Sequence, residues 1–414
     1  MSSEPQTARR AAVAFIFITV VLDVLALGII VPVLPALVVA FLGGDTAAAA
    51  RTYGLFATAW AGMQFFASPL LGALSDRFGR RPIILLSIAG LGLDYVFMAL
   101  APSIAWLFVG RVISGFTSAS FATAAAYIAD VTPVEQRARS FGLIGAAFGL
   151  GFVLGPALGG VLGTVDPRLP FWVSACLCLA NAAYGAFVLP ESLPPERRSQ
   201  FSWKRANPLG SLRLLRSHPE LFGLASVTLL YYVAHEVLPS TFVLYTQYRY
   251  GWDIRTVGLT LAAVGVCTAI VSGGLVGPIV ARIGERRAAL TGLVFGAAAF
   301  AIYGLAPVGR LFLAGVPVMA FWGLYGPSAQ GIMSKRVSGS EQGQLQGAMM
   351  GLRGLAGLFS PFIFTFTFAT FINPRIGVRL PGAPFLLAAL LLVAAFALAI
   401  RVTANARRDA RMAT

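Results

Sequence analysis

Charge is what this chain has least of. Lys, Arg, Asp and Glu make up 11% of its 414 residues, where a water-soluble domain carries roughly 25%. A surface so poor in charge cannot hold a folded domain in water, so it must face an apolar medium. Histidine occurs twice and cysteine three times. Cys176, Cys178 and Cys267 all fall inside apolar runs. Cys176 and Cys178 stand two apart and so point to different sides of a helix, which argues against a metal pair; core packing is the reading for all three. No nucleophile, metal cluster or cofactor loop stands outside the packing motifs, so neither an enzyme nor a bound cofactor is expected.

The charge that is present is lopsided, at 31 basic and 16 acidic residues, net +15. Pooled on one face, that excess would suit nucleic acid. Here it is split into short clusters between apolar runs, so no nucleic-acid partner is expected.

Those runs organise the chain. Stretches of about twenty residues or more fall near 12–40, 53–74, 82–100, 104–129, 140–163 and 170–190. Six more fall near 219–246, 255–280, 287–305, 308–333, 343–369 and 383–402. A helix of about twenty residues crosses the hydrocarbon core and satisfies its own backbone there. The first run is too long for a signal peptide's apolar core and lacks a convincing cleavage site. The expectation is an all-α membrane protein with twelve transmembrane helices. It divides into a six-helix bundle at 1–190, a basic linker at 191–218 and a second six-helix bundle at 219–414. Within the linker, 208–217 reads either as a short amphipathic helix on the inner leaflet or as a plain basic tether.

Cation placement orients the chain. With the N-terminus inside, 22 of the 31 Lys and Arg fall on the inner side and 7 on the outer, leaving Arg111 and Arg353 within runs. Both termini and the linker are therefore expected in the cytoplasm. An internal repeat supports two related halves: GALSDRFGRRPIIL at 72–85 and GPIVARIGERRAAL at 277–290 occupy matching positions. A duplicated half predicts alternating access about a central site.

Two motifs carry most of the information. The turn Gly72, Asp76, Arg77, Gly79, Arg80, Arg81 combines glycines for a tight reversal with cations that anchor it at the membrane edge. Asp130 is the acidic candidate for bridging to it, as part of a gate. In the fifth run, Gly142, Gly151, Gly155, Pro156, Gly159 and Gly160 place small residues where helix backbones approach closely, with a proline kink.

With its aspartate and glycines so spaced, the turn matches the signature loop of the major facilitator superfamily, and the glycine–proline pattern resembles that of its proton-driven exporters. LDVLALGIIVPVLPAL (22–37), IADVTPVEQRARSFGLIGAAFGLGFVLGPALGG (128–160), LPES (189–192) and RYGW (249–252) narrow the resemblance to the tetracycline/proton antiporter branch. It implies two pseudo-symmetric six-helix bundles, location in the bacterial inner membrane, and a monomer. The implied activity is export of a lipophilic compound, often cationic or zwitterionic, in exchange for protons. The other class left open is a transporter of a small metabolite, coupled or facilitative. The chain departs from the tetracycline exporters at Thr268, where they carry a histidine, and at Gly296, where they carry an aspartate, which puts tetracycline itself in doubt. His235–Glu236 and MGLRGL around Arg353 look more like hippocampus-abundant-transcript-like relatives.

Ionisable residues inside a bilayer are costly and usually functional. Asp23, Asp94, Arg111, His235, Glu236 and Arg353 meet that description. Asp23 lies roughly 16 Å into its helix at 1.5 Å per residue, near the midplane. It is the first candidate for proton or cation exchange. Asp94 and Arg111 share a depth, so they form either a structural salt bridge or part of the proton path. Glu236 and Arg353 are expected near the cavity. His235 is of a type that titrates near neutrality, but adjacent helix residues face different ways and only one of His235 and Glu236 need point inward. Gln64 and Gln330 are either substrate contacts or interhelical hydrogen-bond partners.

Overall fold

The computed structural model describes residues 6–118, 121–133, 136–201, 214, 219–338, 341–374 and 377–412. Most of the linker, including 208–213 and 215–217 of the segment read as a helix or a tether, lies outside them. Every regular element among the described residues is helical, as expected.

In chain order these are α1 (Gln6–Ile30), α2 (Leu34–Phe41), α3 (Thr46–Phe78), α4 (Arg80–Ala99), α5 (Ile104–Thr117) and α6 (Phe121–Val131). They continue with α7 (Arg137–Val165), α8 (Leu169–Val188), α9 (Pro219–His235), α10 (Val237–Tyr250), α11 (Ile254–Ile270) and α12 (Val276–Ile283). The last are α13 (Glu285–Leu305), α14 (Gly309–Ala320), α15 (Tyr325–Ser334), α16 (Gln342–Phe371) and α17 (Ala383–Met412). Ten stretches of described helix are long and apolar enough to span a membrane. Of the two remaining apolar runs, 53–74 lies within the 33-residue α3, whose Arg51, Thr52, Thr58 and Gln64 dilute its hydropathy. The run at 104–129 is divided between α5 and α6.

The breaks within runs have local causes. Pro32 separates α1 from α2. Pro239 lacks the N–H that would bond His235's carbonyl, and its ring crowds that carbonyl, so one long run divides into α9 and α10 at Glu236. Between α11 and α12, Gly273 and Gly274 lie in a π-helical turn, Val271–Leu275, and a 3₁₀ turn, Phe321–Leu324, follows α14. Val271, Val276, Ala320 and Leu324 bury together, so the two irregular turns pack on each other.

Two compact units result. Unit 1 comprises Met1–Phe41, Ala59–Pro208 and Asp253–Ala262; unit 2 comprises Leu42–Thr58, Leu209–Trp252 and Ala263–Thr414. In unit 1, α1 packs on α7 and α8, and α4 packs on α8 and α5. In unit 2, α17 packs on α13 and α9, and α16 packs on α9 and α10. Large apolar side chains stay on the outside: Phe187 is 89% exposed and Leu86 70%. In water that would be a liability; in lipid it costs nothing. Cys178 is buried, but Cys176 is exposed on α8 rather than packed in a core as its run suggested.

Candidate transport sites

Three sites take shape. The first is the signature turn of unit 1. Gly79 has φ of +107°, which glycine adopts without strain, and it ends α3 and begins α4. Arg80 reaches back to Asp76 at 2.5 Å, to Ser75 Oγ at 2.6 Å, and across to Asp130 Oδ2 at 3.1 Å. Asp130 also accepts from Ser192 Oγ at 3.2 Å. Glu191 completes the arrangement. It accepts the backbone N–H of Arg80 at 2.9 Å, of Leu193 at 3.0 Å and of Arg81 at 3.3 Å. A carboxylate there satisfies the orphan donors at the start of α4 and sits at the positive end of its dipole. Arg81 donates to Ala186's carbonyl, whereas Arg77 lies over the Phe78 ring. Gly72 has open space around it.

Glycines on α7 build a seam. A Cβ on Gly151 would press on Val24, one on Gly155 would lie 2.7 Å from Gly28 Cα, and one on Gly159 would strike Ile29's carbonyl. Gly160 and Pro156 meet the first turns of α11, where Gly258 lies. Phe152, Leu154 and Leu158 on the same helix face outward. All five motif residues from Gly151 to Gly160 are buried, so this face contacts protein backbone.

The second site is a buried polar group in unit 1. Asp23 is 5% exposed and Asp94 2%, while Tyr95 is fully buried. Tyr95 lies within electrostatic reach of Asp23, Asp94 and Arg111. Neither Asp94 oxygen has a hydrogen-bond partner among the described residues, nor does Asp23 Oδ1, Tyr95 OH, Thr19 Oγ1 or Asn181 Oδ1. Asn181 Nδ2 donates to Thr19's carbonyl at 3.0 Å, tying α8 to α1 beside Asp23. Arg111 lies over the Trp60 ring, 5.3 Å from its centroid. Asp94 and Arg111 thus come together in one buried region, but no hydrogen bond joins them. Gln64 is on α3 in the same unit.

The third site is a cavity of about 340 Å³ in unit 2. Arg353 from α16 lines it, with Gln330 from α15 and Gln346 from α16. Its walls include Tyr231, Tyr232 and Tyr325, together with Met349 and Met350. The Tyr231 and Tyr325 rings stack at 4.5 Å; Trp322 lies 4.8 Å from Tyr231, and His235 stacks on Trp322 at 5.5 Å. Tyr325 OH bonds Thr228 Oγ1 at 2.9 Å. Glu236 caps the break between α9 and α10, where Ser240 Oγ donates to its carbonyl, and its carboxylate is within electrostatic reach of Arg353. It is not among the residues lining the cavity. A Cβ at Gly296 would stand 2.5 Å from Trp322 Cδ1 and 2.8 Å from Leu392, so an indole fills the space an acidic side chain would need there. Thr268 is exposed.

Residues 16–361 match the profile of the Major Facilitator Superfamily. The chain belongs to this superfamily. It is 36% identical over 351 residues to the class C tetracycline resistance protein of Escherichia coli, which covers 85% of this chain and 88% of the relative. To the class G tetracycline resistance protein of Vibrio anguillarum it is 36% identical over 356 residues, 86% of this chain and 90% of that one. Among solved structures, an inward-facing, occupied bacterial homologue of the human lysosomal transporter Spinster superposes with a TM-score of 0.78. That match covers 97% of this chain and 98% of the other at 15% identity, which is a likeness of fold. As a superfamily member with ten such helices, the chain is a multi-pass membrane protein.

Sequence reasoning did not single out Glu191, Tyr95, Asn181, Tyr231, Trp322 or Tyr325. Glu191 stands in LPES, a segment that carried resemblance without a role. The tyrosines stand in apolar runs where aromatic residues are common, so nothing but three-dimensional neighbours marks them.

Proposed function

We propose that this superfamily member is a proton-coupled antiporter of the inner membrane that exports lipophilic, drug-like molecules by alternating access between two six-helix halves. The kinship with tetracycline resistance proteins supports export of a drug-like compound. The observation that carries proton coupling is the buried group in unit 1. Asp23 Oδ1 and both oxygens of Asp94 have no hydrogen-bond partner among the described residues. A carboxyl bound to no donor exchanges a proton without first breaking an established bond, whereas one locked in a salt bridge does not. Glu236, at a helix break inside a membrane run, is a second candidate carrier. Discontinuous helices of this kind often mark coupling sites in transporters. The Asp76–Arg80–Asp130 network, with Arg77 and Arg81 beside it, acts as a gate. The α7 seam lets α1 and the start of α11 approach that helix at backbone contact.

Everted vesicles with an imposed pH gradient test this reading. Wild-type protein should drive substrate accumulation that collapses with the gradient. Asp23→Asn should abolish it while the protein stays folded in the membrane. Undiminished gradient-driven flux in Asp23→Asn would remove Asp23 from the mechanism, and Glu236→Gln in the same vesicles then decides whether unit 2 carries the coupling.

A further inference from the structure

We infer that the unit 2 cavity binds planar aromatic molecules bearing an anionic group, of which aromatic carboxylates are the simplest. This deepens the exporter reading by naming a substrate class, and it departs from the cationic or zwitterionic compounds the family resemblance implied.

The inference starts from an imbalance of charge. Arg353 is exposed to the cavity it lines. It is the one charged residue of the lining, and no carboxylate pairs with it among the described residues. A guanidinium presents five donors in a planar fork that fits a carboxylate bidentately. Left without an anion in an apolar setting, that fork forgoes its best partner. Glu236 is in electrostatic reach but forms no ion pair with it, so it lowers the local positive potential without occupying the fork.

Ring faces supply the second half of the site. Tyr231 and Tyr325, stacked at 4.5 Å, continue through Trp322 to His235. Tyr325 and Trp322 are themselves buried, at 2% and 5% exposure, so the ring area open to a ligand is that of half-buried Tyr231 with Tyr232 beside it, which is flat and costs little conformational entropy because aromatic side chains have few rotors. The half-buried faces of Tyr231 and Tyr232 alone would also suit a cation. Arg353 tips the balance, because a cationic ligand would meet a like charge that no carboxylate of the lining pairs. Met349 and Met350 add soft, adaptable wall, and Gln330 and Gln346 add amide hydrogen bonds. Arg353 therefore selects for charge and the rings for flatness, while the wall tolerates varied substituents.

The test uses the full chain in nanodiscs, with 2-naphthoate, 2-naphthamide and 2-naphthylmethylammonium as probes in equilibrium dialysis against empty nanodiscs. Naphthoate should bind at least about tenfold more tightly than the amide, and the ammonium least well. Arg353→Gln should bring naphthoate down to the amide level. Arg353→Lys, a point charge in place of a fork, should keep part of the preference. Tyr231→Ala should weaken acid and amide alike. Equal binding of acid and amide to the wild-type chain, or a preference for the ammonium, overturns the inference without recourse to any variant. Export is scored separately. Naphthoate that binds but is never moved in vesicles leaves the site standing and removes the exporter reading; gradient-driven export of lipophilic cations with no naphthoate binding does the reverse.

Discussion

Two alanine substitutions on one helix separate a glycine that must be glycine from one that need not be. Gly159 and Gly149 both lie within α7. Replacing glycine by alanine inside a helix gains about 1 kcal/mol, because the unfolded chain loses freedom it no longer has to surrender. At Gly149 nothing lies within 4 Å of the new methyl, so that gain should appear in full. At Gly159 the methyl strikes the carbonyl of Ile29 on α1, which is backbone and cannot rotate away. Nor can α1 retreat freely: Gly155, one turn earlier, holds Gly28 at 2.7 Å from its own Cβ position. Overpacking of this kind costs about 1–3 kcal/mol, and rigid backbone on both sides argues for the upper end. Less the helix gain, Gly159→Ala should lose about 2 kcal/mol and fall about 3 kcal/mol below Gly149→Ala. Heating purified protein in detergent and measuring the surviving monodisperse fraction by size exclusion orders the two. Gly159→Ala should aggregate at a clearly lower temperature than wild type, and Gly149→Ala at an equal or higher one. If the two melt together, the seam does not constrain the helices and the motif's burial is incidental.

Other expectations follow from the same geometry. A double-mutant cycle on Asp94→Asn and Arg111→Gln should give a coupling well under the roughly 3–5 kcal/mol of a buried bonded pair, since no hydrogen bond joins them; a value in that range would place them in contact. Glu191→Gln exchanges an oxygen that accepts Arg81's N–H for a donor and removes a charge at the start of α4, so thermal stability should fall by about 1–3 kcal/mol. An unchanged melting profile would show that the turn holds without it. Asp253 accepts Thr256's N–H at 2.8 Å at the start of α11, so Asp253→Ala should cost about 1 kcal/mol, measured by the same heating assay. The bonds to Thr256 hold its carboxyl below the ordinary 3.8. Its contribution should therefore be complete above that value, and the gap between wild type and variant should close only at more acid pH; a gap already closing near neutrality would assign the effect to another group.

Much of the architecture was legible because lipid imposes it. A chain that must satisfy its backbone in hydrocarbon has little choice but helix, and runs of about twenty apolar residues mark where those helices fall along the chain. Glycine at 79 and the spacing from Gly151 to Gly160 could likewise be read as turn and seam, since only the absence of a side chain permits either. What hydropathy could not resolve is where such a run breaks: Glu236 between α9 and α10, the π turn at Val271–Leu275, and the division of 104–129.

The candidate sites split along the same line. Sequence by itself picked out Asp23, Asp94, Arg111, Glu236 and Arg353, because a charge in an apolar run is conspicuous whatever its neighbours. It could not tell a paired charge from an unpaired one, as that depends on contacts between residues far apart in the chain. Only the tertiary structure left Asp94 without a donor among the described residues, put Arg111 over Trp60, and brought Glu191 onto a helix start 111 residues earlier. Tyr231 and Tyr325 are ordinary members of hydrophobic runs until folding stacks them and brings them to line one cavity with Arg353. Composition fixes which medium a chain lives in, since transfer free energy adds residue by residue. Specificity needs directions and distances among groups, and those exist only once the chain has closed on itself.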